Sequence, residues 1–434
     1  MKRTLLGLLP LFTAVSLYAA DEERCIEVTL NAPGQLGQVL GERIHEVDSL
    51  VVTGPMDSRD FQFIKTAYDK GDASAGIRVI NIEGAEVEDN VLPLGAFSGI
   101  SYRLERVMLP DNIIEFKKDV FAGCSAHKVN IPSALRTIKL CAFDGSDIAG
   151  AVELPEGVTE IPNGCFRMCL NLTEVKLPST VTAIADRAFE KSPMLASVNL
   201  PDGLESMGAG AFTDCDALSG IEIPAGVRII EGGAFLQARN LSRVAFKGES
   251  VDRIGTSAFE STAIETLVLP VSVGELAERS FFNIPTLKAI YSPSAVPPVA
   301  QTIRVNGRAP EYFAFGGTTP SDVTVYVPVG SVELYRSCWG WDYFSNFVET
   351  TEWPGESGIE SIVADGGDVA FTVADGQLVV TGVPDGSVVT VYDLAGRCVK
   401  TSVLNGNAIN LDTLAGGVYI VTTAGKSGKV RVIG

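Results

Sequence analysis

The sequence predicts a repeat solenoid with a parallel strand face, followed by a small all-β sandwich. Three observations predict it. Phenylalanine recurs at 97, 121, 143, 166, 189, 212, 235, 259 and 281, with gaps of 24, 22, 23, 23, 23, 23, 24 and 22, a run that chance does not give. Each copy sets an apolar V-x-L pair before a proline, as in Val175, Leu177 and Pro178. Residues 358–434 lose this period and alternate short apolar runs with glycine-bearing turns.

Residues 1–20 read as a signal peptide. Lys2 and Arg3 supply the positive start, LLGLLPLFTAV the apolar stretch, and SLYAA the small residues before a cut after Ala19 or Ala20. Pro10 and the short apolar length argue against a membrane span. Cys25 follows four charged residues, which is too late for a lipidated N-terminus. Residues 21–90 predict an N-terminal cap, with helix-like stretches near 33–46 and 57–69 and strands at IEVTL, SLVVTG and IRVINIEG.

Residues 91–290 are the solenoid proper, about eight coils of 23 residues. The V-x-L pair has a period of two, so it is a short strand with both apolar side chains inward. Proline has no N–H to donate and ends the strand. The PEG, PDG and PAG triplets that follow are turn chemistry. The other apolar positions line the inner side of the return path. One coil buries too few side chains to offset the entropy of ordering it, so coils must stack. Residues 291–350 predict a C-terminal cap, with VTVYVP as a last strand and SVELYRSCWGWDYFSNF as a closing helix. Residues 351–357, TEWPGES, predict a linker, and 358–434 a sandwich of seven strands: VAFTV, QLVV, VVTVYD, CVKTSV, AINL, GVYIVTT and KVRVI.

Bulk chemistry narrows the partners. Of 434 residues, 53 are acidic and 34 basic, which argues against nucleic acid and anionic membrane. Apolar residues at 46% are enough for real cores, and no later segment is long and apolar enough to span a membrane. Of the eight cysteines, Cys124, Cys169 and Cys215 occupy one slot, three residues after phenylalanine. Elsewhere that slot holds Ile100, Ser146, Ser192, Ala238 or Thr262, so it reads as a buried small-residue position with free thiols. Cys165 and Cys169 have metal-like spacing, but no second Cys/His pair follows.

The repeat LPxxVTxIxxxAFxxCxxLxxVxL resembles the BspA-like leucine-rich repeats, common in surface proteins of Bacteroidetes. The resemblance covers about residues 90–290 and is closest over copies 143–235; one copy has Lys247 where proline is expected. It implies a leucine-rich-repeat solenoid and an adhesin or host-protein binder. The segments VYDLAGRCVK (391–400), LAGGVYIV (414–421) and KVRVIG (429–434) resemble the C-terminal sorting domain of the type IX secretion system. That resemblance implies that residues 358–434 address the chain to export machinery.

Catalytic signals are weak. His45 and His127 lie near no nucleophile motif and read as surface or structural residues. ADGGD (364–368) and ADG (374–376) lack EF-hand spacing and read as turns. There is no nucleotide fingerprint, so no cofactor and no metal is expected. The expected ligand surface is the solvent-facing strand position between the inward V and L: Met108, Asn130, Glu153, Lys176, Asn199, Glu222, Ala245 and Val268. It is mixed and polar, with no aromatic residue to stack on a sugar, so a protein or peptide partner fits better than a glycan. Its expected centre is Glu153, Lys176, Asn199 and Glu222, one continuous stripe. The leading function is an exported surface or secreted binding protein, not an enzyme. The alternatives are an accessory to a secreted or periplasmic glycan-acting enzyme and a structural envelope component.

Overall fold

The computed structural model describes residues 15–20, 23–68, 76–303, 312–354, 362–363, 370–374, 377–381, 383–384, 386–392, 398–404, 408–410, 417–423 and 426–432. The chain divides into two compact units, residues 1–350 and 351–434.

The first unit is a right-through stack of parallel coils joined by three columns of hydrogen bonds. The first column is the expected strand face. Strands such as Arg106–Met108, Gly150–Glu153, Leu172–Lys176, Ser197–Asn199, Gly220–Ile223 and Arg243–Phe246 each turn alternate side chains inward. Val107, Val152, Val175, Val198, Ile221 and Val244 are buried, as the period-two reading requires. The second column was not read from the sequence: the return path also forms a parallel sheet. Its strands have only two residues, for example Glu160–Ile161, Ala183–Ile184 and Ser206–Met207, with the second residue buried. Runs this short carry no periodicity.

The third column is the phenylalanine turn. Phe97, Phe121, Phe143, Phe166, Phe189, Phe212, Phe235, Phe259, Phe281 and Phe315 form one continuous buried stack. Neighbouring centroids lie 5.1 to 5.7 Å apart and the rings are within 12° of parallel. From Phe97 to Phe281 each Phe N–H donates to the next coil, as from Phe166 to the Ala188 carbonyl at 2.7 Å and from Phe189 to that of Ala211 at 2.8 Å. The turn is made by left-handed residues on both sides of the ring. Two before each Phe, from Gly95 to Arg279, φ lies between 56° and 66°; two after, from Gly99 to Gly317, between 55° and 80°. Edge-on aromatics end the stack: Phe61 against Phe97 at one end, Phe344 against Phe315 at the other.

The cap segments are coils in disguise. Glu23–Thr29, Ser49–Met56 and Val79–Asn81 pair in parallel and continue into Arg106–Met108. The expected helices are Leu36–Leu40 with a 3-10 turn at Gly41–Glu46, and Ser58–Thr66. Asp57 caps the latter, and buried Asp60 accepts from the backbone N–H of Asp57, Gly34 and Leu36. That helix carries Phe61 onto the stack. Val15–Ala20 pairs antiparallel with Glu23–Thr29, and the rest of the expected signal peptide lies outside the described residues.

At the far end two expectations change. Thr324–Val327, the VTVYVP segment, is not the last strand, because Asn346–Glu349 pairs beyond it. The closing helix is only Val332–Ser337; Cys338 in an extended conformation ends it, left-handed Gly340 follows, and Trp341 is buried in the core. Its Nε1 donates to the Pro298 carbonyl at 2.8 Å.

The second unit holds two antiparallel four-stranded sheets. All seven expected strands are present, and Ile362–Val363 adds an eighth. Leu378, Val380, Val389, Val391, Ile409 and Val421 are buried in it. The ADGGD segment and Asp375-Gly376 lie outside the described residues.

Candidate interaction surface

The strand face sets the outward side chains in register. Glu153 faces Lys176, and Lys176 faces Asn199, across adjoining strands. All four expected site residues are exposed. Glu153, Lys176 and Asn199 share one hydrogen-bonded ladder, and Glu222 lies on another. The ladder stops after Ser197–Asn199 and restarts at Gly220–Ile223, as it also stops after Lys128–Val129. A groove of about 860 Å³ brings Glu153, Lys176 and Asn199 together with Glu174 and Glu156, and Glu222 lies outside it.

Two of the paired strand interfaces are joined partly by a side chain. In an ordinary coil the N–H after the outward residue donates to the next coil's backbone, as Leu154 does to the Lys176 carbonyl at 3.0 Å. Between Leu172–Lys176 and Ser197–Asn199, and between Arg106–Met108 and Lys128–Val129, an outward asparagine takes over. Leu177 N–H donates to Asn199 Oδ1 at 2.8 Å, and Leu109 N–H to Asn130 Oδ1 at 2.7 Å. Each carboxamide also donates back to the same leucine's carbonyl. Asn199 is therefore committed to the backbone of its neighbour.

The charged members are also partnered. Lys176 Nζ lies 3.9 Å from Glu153, an exposed pair worth little by itself. Lys247, at the position that lacks the usual proline, reaches Asp202 at 3.1 Å and Glu222 at 3.5 Å. The Asp202 hydrogen bond, with both carboxylates beside it, raises the Lys247 pKa above its ordinary value. The missing proline also frees the Lys247 N–H, which donates to the Ile223 carbonyl at 2.9 Å.

The expectation of a strand face without aromatics fails at its C-terminal end. Val268 faces Tyr291, Tyr291 faces Tyr326, and Tyr326 faces Val348. The tyrosine rings stack with centroids 4.3 Å apart and 5° between planes. They point outward and are half-buried. The repeat spacing is lost between residues 292 and 323, so counting from phenylalanine could not place Tyr326.

The cysteine slot is more specific than a small-residue position. Cys169 Sγ, Ser192 Oγ and Cys215 Sγ each donate to the phenylalanine carbonyl of the preceding coil, at 3.1, 2.8 and 3.1 Å. In these three coils the slot holds a small donor, whereas Ile100 and Ala238 fill it without one. Burial pushes the Cys124 and Cys169 thiols up to about 12, and raises those of Cys165 and Cys215 as well. Such thiols stay protonated and unreactive. His127 is exposed beside Lys128, whereas His45 sits in the 3-10 turn with Nδ1 buried and unpartnered. Among the described residues, no cluster of His, Cys, Asp or Glu is arranged to hold a metal.

Residues 90–219 and 205–302 match the BspA type leucine-rich repeat region, in six copies. No curated protein sequence matches. Among solved structures the chain is similar to a leucine-rich cell surface protein from Faecalibacterium prausnitzii, at 17% identity and a TM-score of 0.35, covering 78% of this chain and 95% of that one. It is also similar to a leucine-rich repeat protein from Bacteroides ovatus, at 19% identity and a TM-score of 0.33, covering 79% and 99%. A third is the pneumococcal vaccine antigen PcpA, at 14% identity and a TM-score of 0.34, covering 78% and 97%. The first unit is a leucine-rich-repeat solenoid.

Proposed function

We propose that this chain, whose residues 90–302 match BspA-type repeats, is an exported surface or secreted binding protein of adhesin type. Its partner is a protein or peptide, held on the strand face. The single observation that carries this is the exposed, in-register row of Glu153, Lys176 and Asn199 over an open groove. A groove lined by mixed charge on a rigid sheet suits a polar partner, with charge setting association rate more than affinity. The chain does no catalysis in this reading. The thiols in the repeat slots are buried and raised.

Export rests on residues 1–20, and residues 358–434 act as the address for final location. No helix among the described residues is long and apolar enough to cross a membrane. Deleting residues 358–434 in a host that has the type IX exporter should leave the protein in the periplasm. Arrival of the truncated chain at the surface overturns the addressing role.

The test of binding uses full-length protein, with Glu153, Lys176 and Glu222 replaced together by Ala and Asn199 left in place. Binding of a partner isolated on the wild-type protein should weaken tenfold or more, about 1.4 kcal/mol. Undiminished binding, with loss on changing exposed return-path residues such as Glu160 and Glu205 instead, places the ligand on the opposite side.

A further inference from the structure

One part of the strand face carries a charge arrangement that the fold does not use. Arg106 and Lys128 are direct register partners on adjoining strands. Both are exposed and follow the same outward line. Like charges placed directly opposite in a ladder repel and cost stability. Elsewhere on this face most cations have carboxylate partners: Lys176 with Glu153, Lys247 with Glu222, Lys288 with Glu265 and Arg78 with Glu105; among the described residues Arg243 has none, but it stands opposite Gly220 and not a second cation. Among the described residues, neither Arg106 nor Lys128 makes an ion pair or a side-chain hydrogen bond.

The nearest carboxylates are already engaged. Glu105, next in sequence to Arg106, takes both of its bonds from Arg78, at 2.8 and 3.0 Å, and that guanidinium holds its carboxyl below the ordinary range. Glu153, across the ladder break, is paired with Lys176. The cation pair opens onto a groove of about 480 Å³ at that break, lined also by His127, Asn130 and Ala151 and, on its far side, by Glu153. In a chain with a net charge of −19, an unpaired cation pair at a groove stands out against a surface that otherwise repels anions.

We infer that this groove receives an acidic peptide segment of a protein partner, with side-chain carboxylates set against Arg106 and Lys128. The inference rests on the strand-face reading above and names the partner's chemistry. Strands lie about 4.8 Å apart, while same-side residues of an extended peptide are roughly 6.7 Å apart. Two long, flexible cationic side chains cover that mismatch. Arginine offers a bidentate fork to one carboxylate, lysine a point charge to the next. His127 adds a third donor at the rim. A polyphosphate backbone fits less well, because two cations release too few counterions to overcome the net negative charge of the chain.

The test is fluorescence anisotropy with a labelled oligoglutamate peptide of about ten residues and full-length protein, at an ionic strength of about 0.05 M. Wild-type protein should bind it, and an oligoglutamine peptide of equal length should not bind. The double variant Arg106→Glu/Lys128→Glu should weaken binding tenfold or more. The charge-matched control Arg228→Glu/Lys139→Glu alters exposed cations off this groove and should cost less than threefold. Equal loss in both variants makes the effect one of net charge and overturns the inference. Hydrogen exchange with the peptide bound should protect residues 106–130. Protection only over residues 150–223 overturns this groove while keeping the strand face as the binding side. No binding by the wild-type protein overturns the acidic partner and leaves the strand face to a ligand of other chemistry. Protection confined to the return strands overturns both readings.

Discussion

The carboxamide of Asn199 lies across the backbone of Leu177 in the preceding coil, accepting from its N–H at 2.8 Å and donating to its carbonyl at 2.9 Å. One side chain thus does what two backbone groups do elsewhere on this face. It joins one pair of coils, and the ladder stops at its own strand.

Replacing Asn199 with Ala leaves that N–H and carbonyl with water alone at a half-buried site. The expected loss is about 1–2 kcal/mol. Asn199→Asp keeps the acceptor, removes the donor and turns a charge toward the Leu177 carbonyl, so it should lose more. Urea midpoints check the order wild type, Ala, Asp. An Ala variant as stable as wild type means the carboxamide contributes nothing to coil stacking.

The phenylalanine stack should be the main source of cohesion between coils. Phe189 and Phe212 are fully buried, with centroids 5.1 Å apart. Phe189→Ala and Phe212→Ala should each cost about 3–5 kcal/mol. Because the rings touch, the double variant should not lose the sum of the two. Thermal melts of the three purified variants check this, and an unchanged melt for either single variant contradicts the stack's role.

The stack was legible in the sequence because one residue type holds one position through the repeats. The same holds for the inward V and L. The turn that carries the stack was not legible. Its left-handed positions are glycine in some coils, as at Gly95, Gly164, Gly123 and Gly145, but Asp119, Cys141, Arg187, Met168, Lys191 or Gln237 in others, so no one residue type marks them through the repeats. The return sheet escaped because two-residue strands show no alternation. The candidate site was half legible. Period two placed Glu153, Lys176, Asn199 and Glu222 outward, but which of them turns back onto a neighbour is a matter of side-chain geometry. The cation pair at Arg106 and Lys128 was visible as a position and not as a site, since only the structure shows which carboxylates are already taken.

Lys191 offers a stabilising change. It sits two residues after Phe189 at φ 59°, with an exposed side chain. A left-handed residue with a Cβ costs about 1–2 kcal/mol, and glycine gives back about 0.5–1 kcal/mol in unfolded-state entropy. Lys191→Gly should therefore gain about 0.5–1 kcal/mol. The converse isolates the same strain. Gly123 has φ 63° and open space where a Cβ would stand, so the loss in Gly123→Ala, about 1 kcal/mol, comes from the backbone. Paired urea titrations check both. A stabilised Gly123→Ala would mean that the left-handed slot is not strained.

The buried thiols should make the solenoid sensitive to alkali. Burial raises Cys124, Cys165, Cys169 and Cys215 well above the value of about 8.5 expected of an unfolded thiol. Below that value both states are protonated, and the preference for the neutral thiol is fully satisfied in the fold. Above it the unfolded chain releases protons that the folded chain retains, so stability falls as pH rises toward the folded values of about 12 for Cys124 and Cys169. Each thiol should withdraw about 1.4 kcal/mol per pH unit in that window. Cys165→Ala and Cys215→Ala copy residues found at the same positions in other coils, Ala188 and Ala238, and remove two of the four thiols. Urea midpoints measured at about pH 8 and about pH 10 should fall less in the double variant than in wild type by roughly 3–4 kcal/mol when converted to free energy. Tyr68 and Tyr335 are also raised by burial, but they are common to both proteins and cancel in the comparison. Thiol labelling without denaturant should meanwhile reach exposed Cys398 and spare the buried four until urea is added. Equal alkaline loss in both proteins, or labelling of all eight cysteines in the folded state, shows that these thiols are not sealed between the coils.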